Sequence, residues 1–276
     1  MCCRLYATKR QGKPPRQDLM IHPTAIIHPD TRLGNRVSLG AYAVIDAGVT
    51  IGDDCHIGHH AVIEGPTELG RNNHISPHAC IGTPAQELSP GEQSTRLVIG
   101  DNNVIREFVA IHRGSTKDEG ITRIGHHNFL MTYTHVGHDC TIGDHVVTAN
   151  AVALGGHVSV GNYVNIGGSC AVHQFTRIGA YAMIGGGSMV TLDILPFMMA
   201  VGDRVKLYGL NRVGLKRHGF NATTIQQLKR AYKLLFRCNL RLDEAVTAIH
   251  ESGLDESSAV AQLIAFIAES KRGIAR

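Results

Sequence analysis

The chain has 276 residues, a net charge of +4, 31 glycines and no tryptophan, and aromatic residues make up 5% of it. This length accommodates one or two domains, and the scarcity of aromatic residues favours a thin core of Ile, Leu and Val over a conventional globule. The basic residues gather near the two ends and form no stripe with interleaved aromatic residues, which argues against nucleic-acid binding. The seven cysteines include no CxxC pair, a pattern typical of free thiols in a reducing cytosol.

Residues 1–19 are basic, contain two consecutive prolines and are predicted to form a disordered tail, or to precede a functional start at Met20. They hold no apolar stretch of the kind that a secretory signal needs, and Cys2 stands where a myristoylation signal has glycine. No apolar run in the chain approaches the roughly 18 residues of a membrane-spanning helix. We therefore expect no secretory signal in this stretch and no integral membrane segment in the chain.

From Ile21 to Val190 an aliphatic residue recurs every six positions, with two interruptions and with one polar exception at Thr148. Neither an α-helix nor an ordinary strand has this period. A triangular coil does, because each face takes one hexad, the aliphatic residue points inward and small residues turn the corners. Three hexads make a coil of about eighteen residues, so residue n should lie beneath residue n+18 at a rise of roughly 4.8 Å. The sequence predicts a mainly β fold, a parallel β-helix over residues 20–196.

Two insertions and a helical region complete the predicted organisation. The hexads break at 82–98 and at 112–123, which read as loops on the rigid scaffold, and Leu195-Pro196 ends the ladder. Residues 197–276 are predicted to form a small C-terminal helical domain that caps one end of the prism. After an irregular segment at 197–220, three helices are expected to open at Asn221, Asp243 and Asp255, with Lys271 and Arg272 at the C-terminal end of the last.

Four histidines of the ladder are predicted to converge: His135, His138, His157 and His173. His138 plus eighteen is Gly156, so this glycine should stack on His138, where its unshielded N–H would face an oxyanion. Histidine is a base near neutral pH, and a base beside an exposed amide suits acyl transfer. Asp139 is expected to point to the opposite face, since neighbouring strand residues alternate, and is not predicted to orient His138.

Five motifs carry a resemblance to a known family: IHRGST (111–116), HVGHDC (135–140), GGHVSVG (155–161), AVHQF (171–175) and GLKRHGF (214–220). Over residues 21–276 the sequence resembles the UDP-N-acetylglucosamine O-acyltransferases of lipid A synthesis. The resemblance implies a left-handed β-helix in a cytoplasmic homotrimer. It also implies transfer of a 3-hydroxyacyl chain from acyl carrier protein to the sugar 3-hydroxyl. No cofactor is implied beyond the phosphopantetheine of the carrier, and no metal.

The resemblance also assigns expected roles to individual residues. His138 matches the general base, and Gly156 matches the amide that polarises the thioester carbonyl. Gly186 matches a floor position that measures acyl length, and glycine there would leave room for a long chain. Expected contacts to the sugar, the nucleotide, the phosphates or the acyl-pantetheine arm fall on Gln86, Glu87, His112, His135, His157, His173, Gln174, Asn211 and Arg217.

The sequence departs from the family pattern on the acceptor side and leaves alternatives open. Ser89, Val213 and His218 stand where the family commonly has Lys, an acid and Arg, so a variant acceptor such as a 3-amino analogue is an alternative. The many histidines also admit a γ-type carbonic anhydrase, although ligands along one edge of one chain are not expected to converge on zinc. A non-enzymatic scaffold and the later N-acyltransferase of the same pathway are further alternatives. Lys216, Arg217 and His218 are interpreted as part of an anion site.

Overall fold

A computed structural model describes residues 20–87, 94–117 and 119–276. Within these ranges the chain winds as a left-handed parallel β-helix with three flat faces, followed by helices. The predicted tail at 1–19 and the departure at Ser89 lie outside the described residues.

Each face of the prism is one sheet, and all strand pairs but one are parallel among the described residues. The first sheet contains β1 (Met20–Ile21), β4 (Ser38–Leu39), β7 (His56–Ile57), β10 (His74–Ile75), β13 (Val104–Ile105), β16 (Phe129–Leu130), β19 (Val147–Thr148), β22 (Asn165–Ile166), β25 (Met183–Ile184), β27 (Met198–Val201) and β28 (Lys206–Leu210). The second sheet contains β2 (Ile26–Ile27), β5 (Val44–Ile45), β8 (Val62–Ile63), β11 (Cys80–Thr83), β14 (Ala110–His112), β17 (His135–Val136), β20 (Ala153–Leu154), β23 (Ala171–Val172) and β26 (Met189–Val190). The third sheet contains β3 (Arg32–Leu33), β6 (Val49–Ile51), β9 (Thr67–Leu69), β12 (Arg96–Ile99), β15 (Ile121–Ile124), β18 (Thr141–Ile142), β21 (Ser159–Val160) and β24 (Arg177–Ile178).

The expected stacking of residue n on residue n+18 is confirmed wherever no loop intervenes. His135 pairs with Ala153, and Ala153 pairs with Ala171. Across the two insertions the spacing rises to 30 and then 25 residues. Subtracting 18 gives loops of 12 and 7 extra residues, and the coils on either side keep the same alignment.

The residues that recur every six positions each begin a hexad, and we call them openers. The aliphatic openers form the core, and those from Leu39 to Val190 are buried. Ile21 and Leu33 in the first coil remain partly exposed, since no described coil lies beneath them. The polar opener Thr148 is fully buried, and its hydroxyl lies 2.9 Å from that of Thr134. This pair explains why a polar residue is tolerated at a core position, because each hydroxyl satisfies the other.

The loops and the end of the ladder differ from the prediction. Strands continue to Thr83 and resume at Arg96 and Ile121, so the segments outside strands are shorter than 82–98 and 112–123. The ladder does not end at Leu195-Pro196, because β27 still pairs with β25 in parallel and then with β28 as an antiparallel hairpin. The segment 197–220 is therefore ordered by backbone pairing rather than irregular.

Four α-helices and one 3₁₀ helix follow β28 in the described chain: α1 (Arg212–Arg217), α2 (Ala222–Arg237), α3 (Leu242–Glu251), the 3₁₀ helix (Leu254–Glu256) and α4 (Ser258–Ala268). The cap of α2 was predicted correctly, since the Asn221 side chain accepts a hydrogen bond from Thr224 N at 2.8 Å. The other two predicted openings are wrong: Asp243 lies inside α3, which Arg241 precedes, and Asp255 lies in the 3₁₀ helix before α4, where its carboxylate is bonded to the His250 ring at 2.7 Å. None of the described helices combines the length and apolar character that crossing a bilayer requires.

The C-terminal tail folds back onto the last coil instead of extending α4. Asp193 N donates to Gly273 O, and Ala275 N donates to Asp193 O, each at 2.9 Å. Lys271 and Arg272 therefore lie beyond the helix, and their predicted position at its C-terminal end is wrong. They lie instead beside the last coils of the β-helix.

Candidate active site

The centre of the site is a hydrogen-bonded pair at a corner between β17 and β18. His138 Nδ1 lies 2.8 Å from Asp139 Oδ2, and the Asp139 side chain is only 3% exposed. The prediction that Asp139 points away from His138 is wrong. Strand alternation does not apply here, because both residues lie in the corner turn and Asp139 has a left-handed φ of 56°.

Two residues that were not among the predicted site residues hold Asp139 in place. Ser115 N, in the second loop, donates to both carboxylate oxygens at 2.9 and 3.1 Å. Thr122 Oγ1 accepts a hydrogen bond from Asp139 N at 2.9 Å. Because a carboxylate only accepts, His138 carries its proton on Nδ1, and Nε2 keeps the lone pair that a general base needs.

His157 and Gly156 close around this pair. The His157 ring meets the His138 ring edge to face, with centroids 5.1 Å apart, and its Nε2 lies 3.7 Å from Asp139 Oδ2. A Cβ on Gly156 would stand 2.6 Å from His138 Nε2, so only glycine fits without moving the ring. Within the described chain the Gly156 N–H donates no hydrogen bond, while its carbonyl accepts from Phe175 N at 3.0 Å.

His112 and His135 form a second pair of rings below His138, with centroids 5.0 Å apart. His112 Nδ1 donates to Pro84 O at 2.8 Å, which leaves Nε2 as an acceptor. This Nε2 is buried and has no partner among the described residues. Burial is the main cause that lowers the pKa of both rings from the ordinary histidine value, and at His112 the hydrogen bond to Pro84 O partly offsets it, so both sites favour the neutral form.

Cys140 lies next to Asp139 but is unsuited to nucleophilic catalysis. The thiol is buried and donates to Gly155 O at 3.1 Å. Burial raises its pKa to about 12, so the reactive thiolate is scarce near neutral pH. The site therefore favours direct transfer assisted by a base over a covalent acyl-cysteine.

The first and second loops contact each other through an ion pair. The Glu87 carboxylate, 9% exposed, lies 2.7 Å from Lys117 Nζ, whereas Gln86 is exposed. Lys117 follows Ser115 by two positions, so the same loop contacts both Asp139 and Glu87.

His173 and Gln174 continue the corner above Gly156. Arg272 Nη2 lies 2.9 Å from His173 Nδ1. Since Gly156 stacks on His138 and Phe175 N bonds to Gly156 O, the two residues lie two coils beyond the pair, on the order of 10 Å away.

The other predicted site residues lie on a different edge of the same chain. Asn211 and Arg217 line a cleft of about 860 Å³ against the first sheet, together with Val213 and His218. Asn211 caps α1 by accepting from Gly214 N at 3.0 Å and donates to Tyr181 O at 2.9 Å.

Gly186 occupies an exposed corner between β25 and β26, where an added Cβ would lie 3.3 Å from Gly168 O. One chain therefore does not bring Asn211, Arg217 or Gly186 to the His138 corner, which lies between the second and third sheets.

His138, Asp139 and His157 also offer ligand atoms within 4.8 Å of one another, closer than the sequence predicted. A cation there would compete with the bonds that Asp139 makes to His138 and Ser115. The arrangement of these three side chains is therefore at least as well suited to orienting a histidine ring as to binding a metal ion.

A solenoid of hexapeptide coils with a histidine ring beside a glycine amide defines the class of hexapeptide-repeat acyltransferases. Residues 48–83 and 121–156 match the bacterial transferase hexapeptide model, and residues 193–275 match the second domain of UDP N-acetylglucosamine O-acyltransferase. The chain belongs to the family of acyl-(acyl-carrier-protein)–UDP-N-acetylglucosamine O-acyltransferases.

The membership rests on full-length similarity. The proteins of that name from Syntrophobacter fumaroxidans and Thermodesulfovibrio yellowstonii are 46% and 49% identical to this chain. The matches cover 94% and 93% of this chain and 100% and 99% of the relatives.

Among solved structures, the LpxA protein of Acinetobacter baumannii is 41% identical with a TM-score of 0.90, and the UDP-N-acetylglucosamine acyltransferase of Arabidopsis is 35% identical with a TM-score of 0.82. Each match covers 93% of this chain and 100% of the other. The chain is thus an acyltransferase, and neither the carbonic anhydrase nor the scaffold alternative retains support.

Proposed function

We propose that this enzyme transfers a 3-hydroxyacyl chain from acyl carrier protein to the 3-hydroxyl of UDP-N-acetylglucosamine, the first step of lipid A synthesis. The observation that carries the proposal is the His138–Asp139 pair set against Gly156. The name of the relatives specifies an acyl carrier protein as the donor and UDP-N-acetylglucosamine as the acceptor.

The reaction follows from the placement of protons. His138 Nε2 takes the proton of the sugar hydroxyl, and the oxygen attacks the thioester carbonyl. The Gly156 N–H donates to the oxyanion of the tetrahedral intermediate. As the C–S bond breaks, the imidazolium returns its proton to the departing pantetheine sulfur. Asp139 stabilises the imidazolium in between, because its carboxylate is buried and already bonded to Nδ1.

The neutral rings below the pair suit substrate binding. His112 Nε2 is a buried acceptor that a sugar hydroxyl or amide N–H would satisfy, which removes the cost of an unpaired polar atom. Glu87, paired with Lys117 of the loop that also holds Asp139, is an acidic side chain that the first loop offers for such a contact. No cofactor takes part in this scheme beyond the phosphopantetheine carried by acyl carrier protein.

The two separated sets of site residues support a homotrimer. A three-fold arrangement of prisms sets the His138 edge of one chain against the first-sheet cleft of the next. Asn211, Arg217 and Gly186 would then reach the reacting groups from a neighbouring subunit. We place this trimer in the cytoplasm, where acyl carrier protein and nucleotide sugars are available.

The test is acyl transfer from 3-hydroxyacyl carrier protein to UDP-N-acetylglucosamine by the wild type and His138→Ala. Loss of roughly 10²-fold or more in kcat is expected for removal of a positioned general base. Wild-type turnover with a 3-amino analogue but not with UDP-N-acetylglucosamine would show that the acceptor is the analogue, with the mechanism unchanged. The structure gives a reason to test the variant acceptor, because Val213 in the first-sheet cleft is 63% exposed and carries no charge. Turnover with neither acceptor would refute the proposal.

A further inference from the structure

A second cleft opens on the third sheet beside the His138 corner, with a volume of about 690 Å³. Its walls are the last coils and the C-terminal tail, and we call it the tail cleft. It is lined by His157, Ser159, Phe175, Arg177, Asp193, Glu269, Lys271 and Arg272. His157 belongs both to this cleft and to the cluster around His138, so the two spaces adjoin.

The tail cleft presents unpaired positive charge. Arg177 is paired with Glu269 at 2.8 Å. Asp193 is fully buried, and its oxygens accept from Arg177 N and Ser270 Oγ, each at 2.8 Å. Within the described part of the chain, Lys271 and Arg272 have no acidic partner within 4.0 Å.

Arg272 is fixed at the rim of the tail cleft by two contacts. Its Nε donates to Thr191 O at 2.7 Å, and Nη2 donates to His173 Nδ1 at 2.9 Å. Because arginine only donates, Nδ1 must be the acceptor, and the His173 proton lies on Nε2. The carbonyl of Gln174, 3.1 Å from the same nitrogen, would need the proton on Nδ1 and is therefore a contact only.

We propose that Lys271 and Arg272 form a binding subsite for a phosphate ester of one of the substrates. Two cationic side chains are donors suited to phosphate oxygens. The inference rests on the proposed function, because both of its substrates carry such a group. The donor has the phosphodiester of its pantetheine arm, and the acceptor has its diphosphate.

The distance suits either source. His173 lies two coils from the reacting pair, on the order of 10 Å. An extended pantetheine arm is longer than this span, and the diphosphate lies several bonds from the sugar 3-hydroxyl. Either phosphate can therefore reach the tail cleft while the reacting atoms are at His138.

The experiment uses the full chain with Lys271→Met and Arg272→Lys, singly and combined, and Lys229→Met on α2 as the control for loss of an exposed charge. The donors are 3-hydroxyacyl-4′-phosphopantetheine and the same thioester of pantetheine, which lacks the phosphate. KM is measured for each donor and, separately, for UDP-N-acetylglucosamine. A melting temperature measured for each variant checks that the tail stays docked.

We expect each variant to raise the KM for one of the two substrates about 10-fold, as for loss of one charge-assisted hydrogen bond. The kcat and the melting temperature should stay near the wild-type values. A higher donor KM, with the preference for the phosphorylated donor lost, assigns the subsite to the pantetheine phosphate. A higher UDP-N-acetylglucosamine KM assigns it to the diphosphate. If all KM values stay within twofold of Lys229→Met, the subsite is refuted. An inactive wild type would instead refute the proposed function.

Discussion

Replacing Asp139 with Asn removes one charge from the site with little change in shape. The Asn amide oxygen can still accept from Ser115 N, which now donates at 2.9 Å, so the corner should stay folded. The charge-assisted bond to His138 Nδ1 is lost, and such bonds contribute about 1.5–3 kcal/mol. At 1.36 kcal/mol per factor of ten, kcat should fall roughly 10- to 150-fold.

The assay is steady-state transfer to UDP-N-acetylglucosamine with both KM values measured. KM should change little, because the carboxylate is buried behind His138 and stabilises chiefly the transient imidazolium. Asp144→Asn is the matched control, since Asp144 also accepts a backbone N–H, from His126 at 2.7 Å, but is bonded to no catalytic ring. If Asp139→Asn keeps kcat within twofold of this control, the orienting role is wrong.

Gly156→Ala should lower kcat on the order of 10²-fold with an unchanged circular dichroism spectrum, because the methyl group would displace the His138 ring; retention of wild-type kcat would contradict this. Thr148→Val should lower the free energy of unfolding by about 1–3 kcal/mol by leaving the Thr134 hydroxyl unpaired, whereas Thr148→Ser should cost less; urea titration measures both. Because His112 and His135 have lowered pKa values, the unfolded chain binds more protons below pH 6.5. Stability should therefore fall as pH drops through 6.5, and His112→Gln should flatten that slope.

The fold could be predicted because its cause is repeated along the chain. Each aliphatic opener fills the same place in its coil, so a single count of six specified the strands, the faces and the vertical neighbours of nearly every residue. The stacking of Gly156 on His138 came from that count. The polar opener Thr148 could not be explained in this way, because its partner Thr134 does not occupy an opener position.

The sequence did not predict the parts of the site that lie in corner turns or that depend on contacts between residues far apart in the chain. Asp139 was misplaced because a rule for strands was applied to a residue with left-handed backbone geometry. Ser115 bonds across 24 residues and Arg272 across 99, and no local pattern marks either contact. The tail was assigned to a helix end because basic residues suit that position, whereas pairing with Asp193 decides where it lies.

The loops of 12 and 7 extra residues leave the coils on either side in alignment, and this has a consequence for how such a chain can change length. Loss of eighteen residues within the coils shortens the prism by one coil and leaves every later side chain on its original face. Loss of six keeps the hydrophobic pattern intact yet turns the rest of the chain by one third of a revolution. The protein would still fold, but its histidines would lie on a different face of the prism. In this architecture a deletion can therefore abolish catalysis while leaving the core intact.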